Sequence, residues 1–144
     1  IFKDDFPRGR GKFVPAEYAP ADELPDEAYP LVLNTGRVLQ HWHTGTMTRR
    51  TKALDEITPQ AYVEMTLDDM DRLGISDGEL VAVSSRRGVI RLKTKTSKRV
   101  SPGSVFIPFH FKEAPANILT NDALDPDGKI PEFKFCAVNV EKIK

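Results

Sequence analysis

From residue 31 onward the chain repeats one pattern: short runs rich in β-branched residues, divided by turns that contain glycine, proline or aspartate. Leu31-Val32-Leu33 with Asn34 and Thr35 predicts a strand over 31–35. Ala61 to Met65 alternates and predicts a second. Runs over 79–84 and 89–96, joined by Arg86-Arg87-Gly88, predict a hairpin whose second arm alternates Val, Ile and Leu with Arg and Lys. Val105 to Pro108 predicts a buried strand, and Phe133 to Val140 a closing one. Thr66-Leu67-Asp68-Asp69 has the form of a capping box, with acids in the first turn and Gly74 as the stop, so a short helix belongs there. Ala116 to Leu119 could form one more helical turn, and residues 51–60 read as a polar loop. Phe13 and Val14 could form a short strand. Pro15 to Pro30 reads as an extended connector, because residues 1–30 hold five of the eleven prolines. Many short strands with one or two brief helices predict a mainly β barrel or sandwich.

Composition narrows the function classes. A chain of 144 residues is one domain, large enough for a core without disulfide or metal staples. Zero net charge argues against a generic nucleic-acid binder, which is usually basic. A single cysteine excludes an internal disulfide and fits a reducing compartment. No apolar run approaches the roughly 18 residues of a membrane span. The sequence opens on Ile1, which leads us to expect a piece cut from a longer polypeptide.

One stretch breaks the even distribution of charge. Asn34 to Arg50 holds two Gly, four Thr, two His, the only Trp and three Arg, and no acid lies between Glu27 and Asp55. Hydroxyls, guanidinium forks and backbone N–H groups beside glycine are what a phosphate or pyrophosphate requires. Gly36, directly after a strand, could let the backbone approach a ligand or simply make a turn. His41 and His43 would share a face if the segment is extended. With His110 and Cys136 they could supply four zinc ligands, but the spacing matches no compact zinc pattern, so no metal site is expected. The imidazoles read better as hydrogen-bonding groups.

A second cationic cluster comprises Arg86, Arg87, Arg91, Lys93, Lys95, Lys98 and Arg99. It could track phosphates, as on a small RNA-binding barrel. The preferred reading is a solvated strand face balanced by acids elsewhere. Asn117, Thr120 and Asn121 could read the edge of a base or cap a helical turn. Phe106 reads as core, and Cys136 as a small buried hydrophobe in the final strand. No nucleophile–base arrangement, phosphate-loop lysine signature or Cys-x-x-Cys is present. The pattern is that of a binder of a polar, phosphate-bearing molecule.

From Tyr29 onward the chain resembles the C-terminal domain of molybdopterin-dependent oxidoreductases. The residues that carry the likeness are T-G-R-V-L-Q-H-W-H-T-G-T-M-T-R-R at 35–50, L-G-I-S-D-G-E-L-V-A-V-S-S-R-R-G at 73–88, V-F-I-P-F-H-F at 105–111, A-N-I-L-T-N-D-A-L-D-P at 116–126 and F-K-F-C-A-V at 133–138. Within that family it looks most like the alpha, catalytic subunit of formate dehydrogenases. The nitrate reductases share most motifs but differ at F-H-F and A-N-I-L-T. The resemblance implies a six-stranded double-psi β-barrel over 29–144, with 1–28 as a lead-in from the preceding domain. It implies a bis(molybdopterin guanine dinucleotide) cofactor carrying Mo or W, with 4Fe-4S clusters only in upstream domains. Carried over residue by residue, the cofactor contacts would be Thr35, Gly36, Arg37, Val38, Leu39, Gln40, His41, Trp42, His43, Thr44, Gly45, Thr46, Met47, Arg49, Asn117 and Lys134. Phe109 would lie near the substrate path. The metal ligand and the iron–sulfur cysteines would belong to other domains. The implied partners are the rest of the subunit and its electron-transfer subunits, with no nucleic acid or membrane contact. The expected location is cytoplasmic, with a periplasmic one left open, and the isolated piece is expected to lack turnover.

Overall fold

In the computed structural model, which describes residues 9–143, six strands close into a barrel. In chain order these are β1 (Leu31–Gly36), β2 (Tyr62–Met65), β3 (Leu80–Ser85), β4 (Gly88–Thr96), β5 (Ser104–Pro108) and β6 (Cys136–Lys142). Around the barrel the order is β1-β5-β2-β4-β3-β6. Two pairs, β1 with β5 and β2 with β4, are parallel; the other neighbours run antiparallel. Each parallel pair needs a crossover connection, and two such pairs in a six-stranded closed barrel give the double-psi arrangement expected from the resemblance.

The alternation visible in the sequence decides which face of each strand fills the barrel. Leu31 and Leu33, Val81 and Val83, Val105 and Ile107, and Cys136, Val138 and Val140 are all buried in one cluster with Met65 and Met70. Closure leaves no free sheet edge, so the ladder is protected from edge pairing. The helix α2 (Leu67–Leu73) follows the capping rules. The Thr66 hydroxyl accepts from Asp69 N–H at 3.1 Å, and Gly74 closes the helix at a φ of +67°. Asp69 also accepts from Gly103 N–H at 2.8 Å, which pins the helix to the turn before β5.

Four expectations need correction. Residues 51–60 are not all loop: Thr51 precedes a one-and-a-half-turn helix α1 (Lys52–Ile57), whose Asp55 is held by Arg49 at 3.0 Å. Phe13 and Val14 form no strand and are exposed, because no partner strand lies beside them. The last strand begins at Cys136 rather than Phe133. The carbonyls just before it are used by side chains: Phe133 accepts from the Thr35 hydroxyl, and Phe135 from the Asn121 amide at 3.2 Å. Phe106 lies half-buried on the outside of β5 rather than in the core, with its ring edge over Gly36.

The lead-in is also less of a free connector than its prolines suggest. Glu23 receives Arg86 at 2.7 Å, Arg87 at 2.7 Å and the Ala137 N–H at 3.0 Å. Arg86 also pairs with Asp26 and lies over the Tyr29 ring. Burial pushes the Glu23 carboxyl up, but the Arg87 bond, the Ala137 N–H and Arg86 outweigh it and hold it down at about 2. This clasp crosses the boundary expected at residue 28 and fastens residues 23–29 to the turn after β3 and to β6.

Candidate functional site

The island at 34–50 emerges from the C-terminal end of β1 and folds into a compact loop. Its backbone is not extended: a bridge links Val38 and His41, His43 has a φ of +48°, and Gly45 a φ of +70°. His41 and His43 therefore do not share a face. His41 is buried, whereas His43 is exposed against the Trp42 ring. His41 Nε2–H donates to the Thr58 carbonyl at 3.3 Å, and its Nδ1 accepts from the Thr48 hydroxyl at 3.2 Å. The Thr48 oxygen in turn accepts from Trp42 N–H at 3.1 Å. This donor chain fixes the imidazole tautomer and ties the loop across itself.

The other predicted residues fall into three groups. Arg37, Val38, Leu39 and Gln40 line a groove of about 920 Å³ on the outer face of β1, β5 and β2. Trp42, His43, Thr44, Thr46 and Met47 are exposed on the loop, and Asn117 and Lys134 are exposed in later segments of the chain. Thr35, Gly36, His41 and Gly45 are buried and shape the backbone. Thr35 is stapled from both sides: Lys134 donates to its carbonyl at 3.1 Å, and its hydroxyl reaches the Phe133 carbonyl. The structure thus joins Lys134 to the first loop through the Thr35 backbone. Phe109 adjoins Gly36 through an N–H bond to the Gly36 carbonyl at 3.1 Å.

Two predicted residues also make close contacts within the protein. The space left by the missing Cβ of Gly36 is taken by Phe106, whose Cε2 lies 2.6 Å from the ideal Cβ position. Arg49 spends its guanidinium on Asp55 at 3.0 Å and Glu113 at 2.8 Å, above the Phe111 ring. The cationic cluster is likewise partly spoken for: Arg86 and Arg87 serve Glu23, and Lys95 lies 3.5 Å from Glu64 and over Tyr62.

Sequence reasoning missed two features. Arg99, Ser101 and Ser104 line the far end of the same groove as Arg37; only the parallel pairing of β1 with β5 brings them there. His110 is buried, with neither ring nitrogen bonded, between the His41 ring at 4.6 Å and the Phe111 ring at 3.9 Å. Burial first, then the neighbouring His41 and Arg49, push its imidazole down to about 4, so it is neutral at pH 7. Cys136 is buried, and burial pushes its thiol up to about 11. A thiol is a poor nucleophile in that state. Among the described residues no group of three or more His, Cys, Asp or Glu could hold a metal ion, and no helix is long and apolar enough to cross a membrane.

A closed double-psi barrel that carries a donor-rich loop beside a cationic groove defines a binding domain for a phosphate-bearing ligand. The residues fit a dinucleotide: Arg37 has no carboxylate partner among the described residues, and the amide of Gln40 and exposed hydroxyls of Thr44 and Thr46 stand close by in the chain. The family model for the molydopterin dinucleotide binding domain matches residues 31–137, and the chain belongs to that family. Its cofactor class is therefore a molybdopterin dinucleotide. The chain is 50% identical over 145 aligned positions to the F420-dependent formate dehydrogenase subunit alpha of Methanocaldococcus jannaschii, covering 99% of this chain and 22% of that protein. It is 47% identical to the F420-dependent formate dehydrogenase 1 subunit alpha of Methanococcus maripaludis, covering 95% and 20%. The chain thus spans about a fifth of the length of these relatives. Acetylene hydratase from Pelobacter acetylenicus has the same fold, with a TM-score of 0.75 at 18% identity over 87% of this chain and 21% of that one.

Proposed function

We propose that the chain is the cofactor-binding barrel of a formate dehydrogenase catalytic subunit, in which formate is oxidised to carbon dioxide and two electrons pass to iron–sulfur clusters. The observation that carries this reading is the 50% identity to a formate dehydrogenase alpha subunit along nearly the whole chain. The dinucleotides would be of the guanine type and, when bound, would supply a Mo or W centre able to take up two electrons. The barrel's own part is to bind and orient. Arg37 supplies a guanidinium to the phosphates, a role suited to a planar fork. The exposed Trp42, Thr44, Thr46 and Met47 form a wall, and Asn117 offers an amide to a ring edge. Lys134 holds the Thr35 carbonyl and so sets where the loop leaves β1. Phe109, hydrogen-bonded to Gly36, stands near the substrate path.

Bonding of the metal and all electron transfer lie with other domains of the same subunit and with its electron-transfer partners. The protein works in the cytoplasm. The test is direct. The full catalytic subunit, supplied with a dye acceptor, oxidises formate and does not reduce nitrate, whereas this chain alone does neither. Nitrate reduction by the full subunit, or formate oxidation by this chain alone, would contradict the reading.

A further inference from the structure

We propose that the end of the groove marked by Arg99, Ser101 and Ser104 binds a phosphate group, making it a nucleotide-phosphate subsite on the flank of the barrel. The ligand's identity rests on the cofactor-binding reading above; the subsite itself rests on the groove. The groove follows the outer faces of β1, β5 and β2, where Asn34, Phe106 and Glu64 stand at adjacent register positions. Val32 pairs with Ser104 at one end of β1, and Gly36 with Pro108 at the other. Four residue steps along a strand separate these ends by about 13 Å. Arg37, Leu39 and Gln40 therefore mark one end and Arg99, Ser101 and Ser104 the other. One terminal phosphate cannot engage both ends, but an elongated nucleotide can.

Charge favours an anion there. Three cations line the groove (Arg37, Lys95 and Arg99) against one carboxylate, Glu64. Glu64 is already compensated, with Lys95 at 3.5 Å and the Ser97 hydroxyl at 3.0 Å. Arg37 and Arg99 have no carboxylate partner among the described residues, unlike Arg49, Arg72, Arg86 and Arg87. A guanidinium and two serine hydroxyls lining one end of a groove are a donor set matched to phosphate oxygens. At the opposite end Leu39 is 97% exposed and Ile57 63% exposed, and both line the groove. That apolar rim gives a ring system somewhere to rest beside the Arg37 guanidinium, so the groove suits an elongated, phosphate-bearing nucleotide.

The experiment is calorimetric titration of the 144-residue chain with inorganic pyrophosphate and, separately, with guanosine diphosphate. The variants are Arg99→Ala, Arg37→Ala and, as a control for bulk charge, Arg91→Ala on the exposed face of β4. Wild type is expected to bind pyrophosphate saturably and more weakly at high salt. Arg99→Ala should weaken it at least about tenfold, while Arg91→Ala leaves it unchanged. Absence of saturable binding, an unaffected Arg99→Ala, or an equal loss in Arg91→Ala would overturn the subsite. The diphosphate arm separates the two readings. Loss of guanosine diphosphate binding in Arg37→Ala but not in Arg99→Ala keeps the loop reading and removes the subsite. Loss of pyrophosphate binding in Arg99→Ala, with guanosine diphosphate binding untouched in Arg37→Ala, supports the subsite and counts against the loop.

Discussion

Gly36 and Phe106 share one volume: a Cβ on the glycine would lie 2.6 Å from Cε2 of the ring. Phe106 is half-buried and lines the groove, so its only direction of retreat is outward, into the space a ligand would use. Gly36→Ala should therefore destabilise the barrel by about 1–2 kcal/mol, the strain of overpacking less the entropy gained by removing a glycine. Gly36→Ala combined with Phe106→Leu should recover most of that loss. Urea denaturation of the three variants checks this. An unaltered midpoint for Gly36→Ala would mean that the ring does not depend on the glycine.

Glu23 is the acid on which the lead-in depends. Its carboxyl is held at about 2 against an ordinary 4.5, so the folded state favours the charged form. The stabilisation is then complete above about 4.5 and disappears as pH falls toward about 2. At pH 7, Glu23→Gln should cost about 2 kcal/mol, the scale of hydrogen bonds to charged groups. Denaturation curves of wild type and variant should converge as the pH drops. A gap independent of pH would show that packing, not charge, holds the clasp.

His110 works in the opposite sense. Its folded value of about 4 lies below the ordinary 6.5, so the folded state resists protonation. It carries no penalty above about 6.5, and the penalty grows as pH falls from there to about 4. Both ring nitrogens are buried without partners. His110→Phe should stabilise the ligand-free chain by about 1 kcal/mol at pH 7, and the advantage should widen by pH 4–5. Thermal melts across that range measure it, and a destabilised variant would show that the nitrogens are satisfied in solution.

Strands and the capped helix were legible because they depend on local patterns: alternation in β3 and β4, and Thr66 with Asp69 and Gly74 around α2. The loop at 34–50 was legible as chemistry, since its hydroxyls, arginines and lack of acids need no fold to be noticed. What escaped were relations set by chain crossings. Nothing near Gly36 in the sequence says that Phe106 will cover it, because parallel pairing of β1 with β5 joins segments some seventy positions apart. The same pairing delivers Arg99, Ser101 and Ser104 to the groove that begins at Arg37. The ion pairs of Arg49 escaped too, because its carboxylate partners, Asp55 and Glu113, sit on a helix and a distant turn. Glu23 looked like one acid in a proline-rich connector, and only the barrel brings Arg86, Arg87 and Ala137 to it.

The loop after β1 is proposed to hold a molybdopterin guanine dinucleotide through Arg37. The most direct measurement is the guanosine monophosphate released by acid per purified full-length subunit, for wild type and Arg37→Ala. A clear release is expected from wild type and a loss of most of it in the variant, with the thermal midpoint of the ligand-free protein unchanged. Equal release from both, or none from wild type, would contradict it.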